Sequence, residues 1–211
     1  MSIALNIALP LPAPLVQEVL RLHQKLDEQP NAVPLLRGDA IAHLTLAMGV
    51  IEEYALEELK AKLAEELRYA TTFQIRFNGV YQRAMGDGRV VCGIGVEPHS
   101  ALQALHEKAM DVLSDVGFVV PHMGALFDYQ HADPYTLELI QHFRREGTYN
   151  SYFPHITLGT GTMQGEAQLG VPTMEVNRVE VFHMGNLCTA RKGLQGFDLR
   201  AKEELAFGGL D

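Results

Sequence analysis

The chain alternates between two hydrophobic periods, and this alternation predicts its strands and helices. Residues 2–9 form an almost unbroken aliphatic run, which is typical of a buried strand, and a proline-rich stretch ends it. Leu15, Val19, Leu22 and Leu26 then recur at helical spacing. Along the whole chain the two periods predict the order strand, helix, strand, helix, strand, strand, helix, an irregular segment, helix and three strands. This order favours an α+β fold over a doubly wound parallel sheet.

The least regular part of the chain lies between residues 118 and 150. It begins with the run VVPHMGALFDYQHADP and continues into a short predicted helix, which Asp133 caps and Pro134 opens. A segment of this length can form a lid or an extra wall over a cleft, so we expect an insertion that influences substrate choice. No linker is evident elsewhere in the sequence, and we expect a single domain over residues 1–211.

One short phrase occurs twice in this pattern. The first copy, HLTL, starts at His43, and the second, HITL, starts at His155. Because successive side chains of a strand point to opposite faces, His43 and Thr45 share one face, and His155 and Thr157 share the corresponding face of their strand. Each copy therefore buries two aliphatic side chains and presents an imidazole and a hydroxyl above the sheet. Two such matches arise by chance on the order of once in two hundred chains of this composition.

Several interpretations of the repeated phrase remain open. Each histidine alone could be a polar residue on a half-exposed strand, although the repetition disfavours this. Histidine is also a common metal ligand, but neither phrase supplies a second ligand and no HExxH motif or cysteine pair is present, so we expect neither a metal nor a cofactor. Two imidazoles facing each other can supply a general base and a general acid near neutral pH, while the hydroxyls bind phosphoryl oxygens. This last interpretation predicts phosphodiester cleavage without a metal.

Charge and composition narrow the choice of partner. The 211 residues carry a formal net charge of −9, which disfavours a nucleic-acid duplex because a phosphate-binding face needs clustered Lys and Arg. A small anionic substrate in a local site is compatible with this charge. The cysteines, Cys92 and Cys188, are far apart in the sequence and are predicted to be free thiols. With no basic leader and no apolar run of membrane-spanning length, we expect a cytoplasmic protein without a membrane partner, and we favour a monomer.

The paired motifs at His43 and His155 resemble those of the two-histidine (2H) phosphoesterase superfamily, which includes the 2'-5' RNA ligase and RNA 2',3'-cyclic phosphodiesterase proteins. The opening ALNIALPLPAPLVQEVL and the end VEVFHMGNLCTARKGLQGFDL are also similar to this family. The resemblance implies two pseudo-symmetric α+β lobes, with antiparallel sheets facing across a central cleft and helices on the outside. It implies that His43 and His155 are the acid-base pair and that Thr45 and Thr157 bind the phosphate. The implied reaction opens a 2',3'-cyclic phosphate, on an RNA end or a small nucleotide, to a 2'-phosphate.

Two positions depart from the family's pattern. Many bacterial relatives carry an arginine two residues past the second motif, where this chain has Thr160, and their first motif commonly leads into an aromatic, where this chain has Met48. Arg37, just before the first motif strand, and Arg191, in the basic turn predicted between the last two strands, are candidates for the missing positive charge, although each is more often a solvated surface residue.

Three further residues are candidates for substrate contact. Asn6 is an amide within an aliphatic strand, so it either points into the cleft or is a hydrogen-bonded amide in the core. Tyr152 and Phe153, beside the second motif, could stack on a base or pack in the core.

Two alternative functions remain: a non-catalytic module that binds a nucleotide or RNA end, and a 2'-5' RNA ligase. The intact motifs disfavour the first, and the acidic charge with Thr160 disfavours the second for polymeric RNA.

Overall fold

The computed structural model describes residues 1–27, 39–85, 88–165 and 167–201. The helices in these ranges are α1 (Ala13–His23), α2 (Leu56–Leu67), α3 (Ser100–Val116) and α4 (Tyr135–Glu146). The strands are β1 (Ser2–Pro10), β2 (Leu26–Asp27), β3 (His43–Glu52), β4 (Phe73–Ala84), β5 (Val90–Val96), β6 (His155–Thr160), β7 (Thr162–Met163), β8 (Thr173–Val176), β9 (Arg178–Met184) and β10 (Ala190–Asp198).

One curled antiparallel sheet organises the fold. Its eight strands lie in the order β10-β9-β1-β3-β6-β5-β4-β8, and β2 and β7 form a separate small pair. The sheet divides into two halves that meet where Leu44 of β3 pairs with Ile156 of β6. Each half contains a strand-helix-strand unit, β1-α1-β3 or β5-α3-β6, whose last strand starts with a His-x-Thr motif. The predicted α+β class with two pseudo-symmetric halves is confirmed, and the two predicted sheets are continuous at the β3–β6 pair.

Three helices, α1, α2 and α3, cover one face of the sheet and form the main core with it. The aliphatic residues of the two motif strands are buried in this core: Leu44, Leu46, Ile156 and Leu158. Burying such a side chain stabilises the fold by about 1.5–3 kcal/mol. A slip of one residue in the strand register would expose all of them and bury the histidines, so hydrophobic burial fixes the direction in which the motif histidines point. We call the opposite face, which carries the motif histidines and threonines, the motif face.

Two predicted boundaries near the end of the chain are wrong. The run MEVNRVEVFHMG of residues 174–185, which alternates as one of the three predicted final strands, is two strands, because β8 pairs with β4 in one half and β9 pairs with β1 in the other. Asn177 separates the two strands, and at this residue the chain passes from one half of the sheet to the other. The hydrophobic alternation continues on both sides of Asn177 and does not indicate this change. The basic turn predicted before the last strand ends earlier than expected, because Arg191 already belongs to strand β10.

The segment of residues 118–150 packs apolar residues on the motif face, and its end at Tyr149 contacts α3. Its buried residues and those of the sheet form a second apolar cluster: Ala4, Met48, Val50, Ala125, Leu126, Ile140 and Met184. The backbone N–H of Val119 donates to the carbonyl of Val50 at 2.9 Å, and that of Phe127 donates to the carbonyl of Met184 at 2.8 Å. The segment therefore covers part of the motif face in the β1, β3 and β9 half. Its action as a lid or wall that selects substrate stays a prediction.

Candidate active site

The pairing of β3 with β6 brings the two motifs together. Because Leu44 pairs with Ile156 in an antiparallel arrangement, the register sets His43 beside Thr157 and Thr45 beside His155. These polar side chains are all partly exposed on the motif face. A pseudo-twofold axis through the central pair relates one motif to the other, so the histidines are diagonal to each other.

The same backbone irregularity follows each motif. In β3 the register with β1 shifts so that Leu46, directly after Thr45, is an extra residue. In β6 the register with β5 shifts so that Leu158, directly after Thr157, is extra. A β-bulge bends its strand and redirects the neighbouring side chains. The duplication seen in the sequence therefore extends to the backbone conformation of the two halves.

Both histidines are held by the same local hydrogen bond. Nδ1 of His43 lies 2.7 Å from the carbonyl oxygen of Ile41, and Nδ1 of His155 lies 2.8 Å from the carbonyl oxygen of Phe153. Because a carbonyl oxygen only accepts hydrogen bonds, Nδ1 of each ring carries a proton and donates it. Nε2 is therefore the nitrogen through which each ring can exchange a proton with a substrate.

Burial lowers the pKa of both imidazoles. Loss of solvation is the main cause for His43; its hydrogen bond to Ile41 opposes this effect, and the nearby His155 lowers the pKa further. Loss of solvation also lowers the pKa of His155, the hydrogen bond to Phe153 opposes it, and the positive charge of Arg83 lowers it further. Because protonation of His155 disfavours protonation of His43, the pair takes up a first proton more readily than a second. This behaviour suits one general base and one general acid.

Asn6 lies against the first motif and is fully buried. Its amide nitrogen is 3.0 Å from Nε2 of His43, 3.2 Å from the hydroxyl of Thr45 and 3.2 Å from the carbonyl oxygen of Cys188. Asn6 belongs to the alternate residues of β1 that face away from the helices. The structure thus places this amide on the motif face, in contact with His43, while its contact with substrate stays a prediction.

The two aromatic residues beside the second motif have different environments. The Tyr152 hydroxyl donates to the carbonyl oxygen of Thr45 at 2.7 Å, and its ring stacks on His106 with 3.9 Å between centroids and 2° between planes. Phe153 is 46% exposed and its ring lies 5.6 Å from that of His155. Tyr152 therefore braces the first motif strand, whereas Phe153 offers an accessible ring beside the second histidine.

His106 was not singled out from the sequence, yet it supports the first motif from α3. Its Nδ1 lies 2.6 Å from the carbonyl oxygen of Leu46, the extra residue of the bulge, and its Nε2 accepts the backbone N–H of Tyr149 at 2.7 Å. Burial lowers the pKa of this fully enclosed imidazole, and its two contacts fit a neutral ring that donates at Nδ1 and accepts at Nε2. Its position on one face of an ordinary amphipathic helix gives no signal of this role.

Arg37 and Arg191 are the two candidates for the positive charge missing at Thr160, and the structure describes Arg191. Arg37 lies outside the described residues. Arg191 forms an ion pair with Asp39, with 2.5 Å between Nη1 and Oδ1. A role for either in binding substrate stays a prediction.

Arg83, which the sequence did not indicate, lies on the motif face beside the second motif. It pairs with Val91 of β5, which in turn pairs with Thr160 of β6. Tyr81, two residues earlier on the same face, places its ring 5.8 Å from the ring of His155. Arg83 is exposed. Arg83 lies near the second motif only because β4 and β5 pair beside β6. Local periodicity predicts the strands but not which of them pair, so nothing in the sequence selects this arginine.

Other site chemistry is limited in the described part of the chain. No three His, Cys, Asp or Glu side chains there are grouped to hold a metal ion. Cys92 and Cys188 are free thiols, as predicted. No described helix has both the length and the apolar composition needed to cross a membrane.

Comparisons with known proteins identify similar folds and a family. LigT of E. coli in apo form is 16% identical, with a TM-score of 0.59 over 95% of this chain and 99% of LigT. TT0787 of Thermus thermophilus is 17% identical, with a TM-score of 0.59 over 95% of this chain and 100% of TT0787. LigT complexed with 3'-AMP matches with 16% identity and a TM-score of 0.55, over 94% and 98% of the two chains. A search of curated proteins finds no significant match.

The family assignment follows from a separate comparison. A family model described as the 2'-5' RNA ligase superfamily matches residues 11–169, a range that includes both motifs. At the identities above, the solved structures show a shared fold only. The resemblance inferred from the paired motifs is confirmed, and the chain belongs to the 2'-5' RNA ligase superfamily, among the two-histidine (2H) phosphoesterases.

Proposed function

We propose that the protein is a metal-independent phosphodiesterase that opens a 2',3'-cyclic phosphate, on an RNA end or a small nucleotide, to a 2'-phosphate. The orientation of His43 and His155 carries this proposal. Each ring has its Nδ1 proton engaged by the carbonyl two residues earlier, which leaves Nε2 as the nitrogen for proton exchange; at His43 this nitrogen also contacts the amide of Asn6 at 3.0 Å. E. coli LigT, which shares the fold, forms a complex with 3'-AMP, and this supports a nucleotide as the kind of ligand.

The reaction requires two proton transfers at opposite sides of one phosphorus atom. A neutral imidazole takes a proton from water as the water oxygen bonds to phosphorus. A protonated imidazole gives its proton to the 3' oxygen as the bond from phosphorus to that oxygen breaks. Each transfer contributes roughly 10²–10⁴ to the rate. In this proposal the phosphoryl group lies between the two diagonal histidines.

The phosphoryl group brings negative charge that the site must hold. The hydroxyls of Thr45 and Thr157 can donate hydrogen bonds to its oxygens, and Arg83 supplies positive charge on the His155 side. A bound phosphate also raises the pKa of both imidazoles, because a negative charge favours their protonated forms. This effect opposes burial and brings one ring into the protonated state that a general acid needs at neutral pH.

The test is hydrolysis of 2',3'-cyclic mononucleotides in the presence of EDTA. We expect turnover to survive EDTA, to yield the 2'-phosphate, and to fall by at least roughly 10² in His43→Ala and in His155→Ala. His142→Ala is a matched control, because His142 is exposed on α4 and contacts Glu146 at 3.6 Å. Turnover that depends on a metal, or motif variants that keep the wild-type rate, would refute the proposal. Binding of the nucleotides without any turnover would favour the alternative binding module.

A further inference from the structure

The two β-bulges that follow the motifs each contain a buried residue outside the strand ladder. Leu46 is the extra residue in β3, and Leu158 is the extra residue in β6. The extra residue of a bulge is left unpaired by the neighbouring strand. Both leucines are fully buried, so water cannot satisfy their backbone carbonyls. Each bulge therefore needs a hydrogen-bond donor from elsewhere in the fold.

A histidine on a helix supplies this donor to each bulge. Nδ1 of His106, on α3, lies 2.6 Å from the carbonyl oxygen of Leu46. Nδ1 of His23, the last residue of α1, lies 2.9 Å from the carbonyl oxygen of Leu158. Because a carbonyl oxygen only accepts hydrogen bonds, Nδ1 of both rings donates. The two bulges thus share the same kind of donor as well as the same shift of register.

The two donors are exchanged between the halves of the sheet. Helix α1 belongs to the β1-α1-β3 unit, yet His23 reaches β6 of the other unit. Helix α3 belongs to the β5-α3-β6 unit, yet His106 reaches β3. Each motif strand is therefore held by the helix of the opposite half.

The residues around each bond leave a fitted space for the imidazole. Gly159, directly after Leu158, has φ of 153°, and a Cβ atom there would lie only 3.2 Å from Nδ1 of His23. His106 is enclosed by the ring of Tyr152, stacked on it at 3.9 Å, and its Nε2 accepts the backbone N–H of Tyr149 at 2.7 Å. Neither imidazole is thus an incidental neighbour of its bulge.

Each bulge lies next to the side chains that the proposed reaction uses. Thr45 directly precedes Leu46, and Thr157 directly precedes Leu158. Because a bulge redirects the side chains beside it, a bulge that loses its donor can change the direction of the hydroxyl and of the imidazole two residues before that hydroxyl. A misplacement of about 1 Å can slow a reaction by roughly 10²-fold.

We propose that His23 and His106 are crossed positioning residues, each of which holds the bulge after one motif from the helix of the opposite half and so sets the direction of that motif's threonine and histidine. Their effect on the reaction rate rests on the proposed function, whereas their effect on the geometry of the motifs does not. Both act through the bulges and do not touch the reacting atoms, because α1 and α3 cover the face opposite the motif face.

The His23 bond can be tested without substrate, from the NMR signals of the motif imidazoles. We expect His23→Leu to shift the ring signals of His155 and to leave those of His43 unchanged, although His43 belongs to the same unit as His23. His23→Asn should restore the wild-type signals, because Nδ2 of asparagine is attached to Cγ, as Nδ1 of histidine is. His23→Gln, whose amide lies one bond further out, should not restore them.

Two results would overturn the crossed arrangement at His23: unchanged His155 signals in His23→Leu, or equal shifts at both motif histidines. The asparagine and glutamine variants decide the matter if His23→Leu does not fold. For His106 the informative comparison is His106→Asn with His106→Leu, because both lose the acceptor of the Tyr149 N–H and only asparagine can keep the bond to Leu46. The His43 ring signals should be close to the wild type in His106→Asn and shifted in His106→Leu; equal signals in the two variants would overturn the role of His106.

The effect on the reaction is measured as kcat and KM for a 2',3'-cyclic mononucleotide. We expect His23→Leu to lower kcat by about 10- to 100-fold, with a smaller change in KM, because misaligned proton transfer slows the chemical step. His23→Asn should recover most of kcat. Glu18→Ala is a matched control on the same helix, because Glu18 is buried and accepts the backbone N–H of Gly170 at 2.6 Å, away from the bulge.

Glu18→Ala should lower the stability of the protein and leave kcat unchanged. Equal losses of kcat in His23→Leu and Glu18→Ala would mean that the stability of α1 alone is responsible, and would overturn a positioning role. If the wild type hydrolyses no cyclic nucleotide, the proposed function fails, and the NMR signals still decide whether the crossed histidines set the geometry of the motifs.

Discussion

Replacing Arg83 by alanine is expected to raise KM for a cyclic phosphate and to leave kcat nearly unchanged. Arg83 lies in the row of paired residues that includes Thr160, on the face that carries His155. In the proposed reaction we expect its charge to attract the phosphate equally in the bound substrate and in the transition state, and an interaction of equal strength in both states affects KM rather than kcat.

The size of this effect follows from exposure and charge. Coulomb attraction between unit charges roughly 5 Å apart is about 1 kcal/mol in water and about 3 kcal/mol near a protein surface. Because Arg83 is exposed, solvent screens it and the lower part of this range applies. We therefore expect about 1–2 kcal/mol, which corresponds to a rise in KM of roughly 5- to 30-fold.

The assay compares kcat and KM of Arg83→Ala, Arg83→Lys and Arg76→Ala with the wild type. Arg76 is a matched control, because it is an exposed arginine on the same strand, roughly 20 Å away along β4, and makes a loose 3.8 Å contact with Glu97. Arg83→Lys should recover most of the affinity. Equal increases in KM for the two alanine variants would mean that net charge alone is responsible, and no increase in either would refute the role of Arg83.

Two further predictions concern the support of the first motif. Tyr152→Phe should lower the free energy of unfolding by about 1–3 kcal/mol in urea denaturation, because the Thr45 carbonyl loses its donor while the stacked ring remains; an unchanged midpoint would contradict this. Because burial lowers the folded-state pKa of His106, the unfolded chain binds more protons, so stability should fall as the pH drops below about 6.5. In His106→Gln that fall should be shallower, and an identical pH dependence of unfolding would contradict the reasoning.

The motif histidines were predictable because a strand with alternating polarity has only one stable orientation. The aliphatic residues on either side of His43 and His155 determine the face on which each imidazole lies. Their meeting was expected from the repetition and the family resemblance. The register that sets each histidine beside a threonine came only from the structure, because it depends on strands far apart in sequence.

Long-range pairing also explains what the sequence did not reveal. Arg83 lies close to the second motif only because β4 is two strands from β6 in the sheet. Likewise, Asn177 interrupts a continuous alternating run only because β8 and β9 belong to opposite halves of the sheet. Met48, a departure from the family pattern, packs under the segment of residues 118–150. That contact links the irregular segment to the motif face, and no local pattern predicts it.

The two motifs have nearly the same backbone, but different side chains flank them, and each fact has its own consequence for the proposed reaction. The two bulged motif strands place equivalent imidazoles, which is enough to serve both sides of a phosphorus atom. A cyclic phosphate, however, has two bridging oxygens, and only the one that receives the proton leaves. The row of Phe182, Asn6 and Met48 offers an amide to one half, and the row of Arg83, Val91 and Thr160 offers a positive charge to the other. Because the motifs are nearly equivalent, we predict that these flanking rows orient the substrate and so determine whether the product is a 2'-phosphate or a 3'-phosphate.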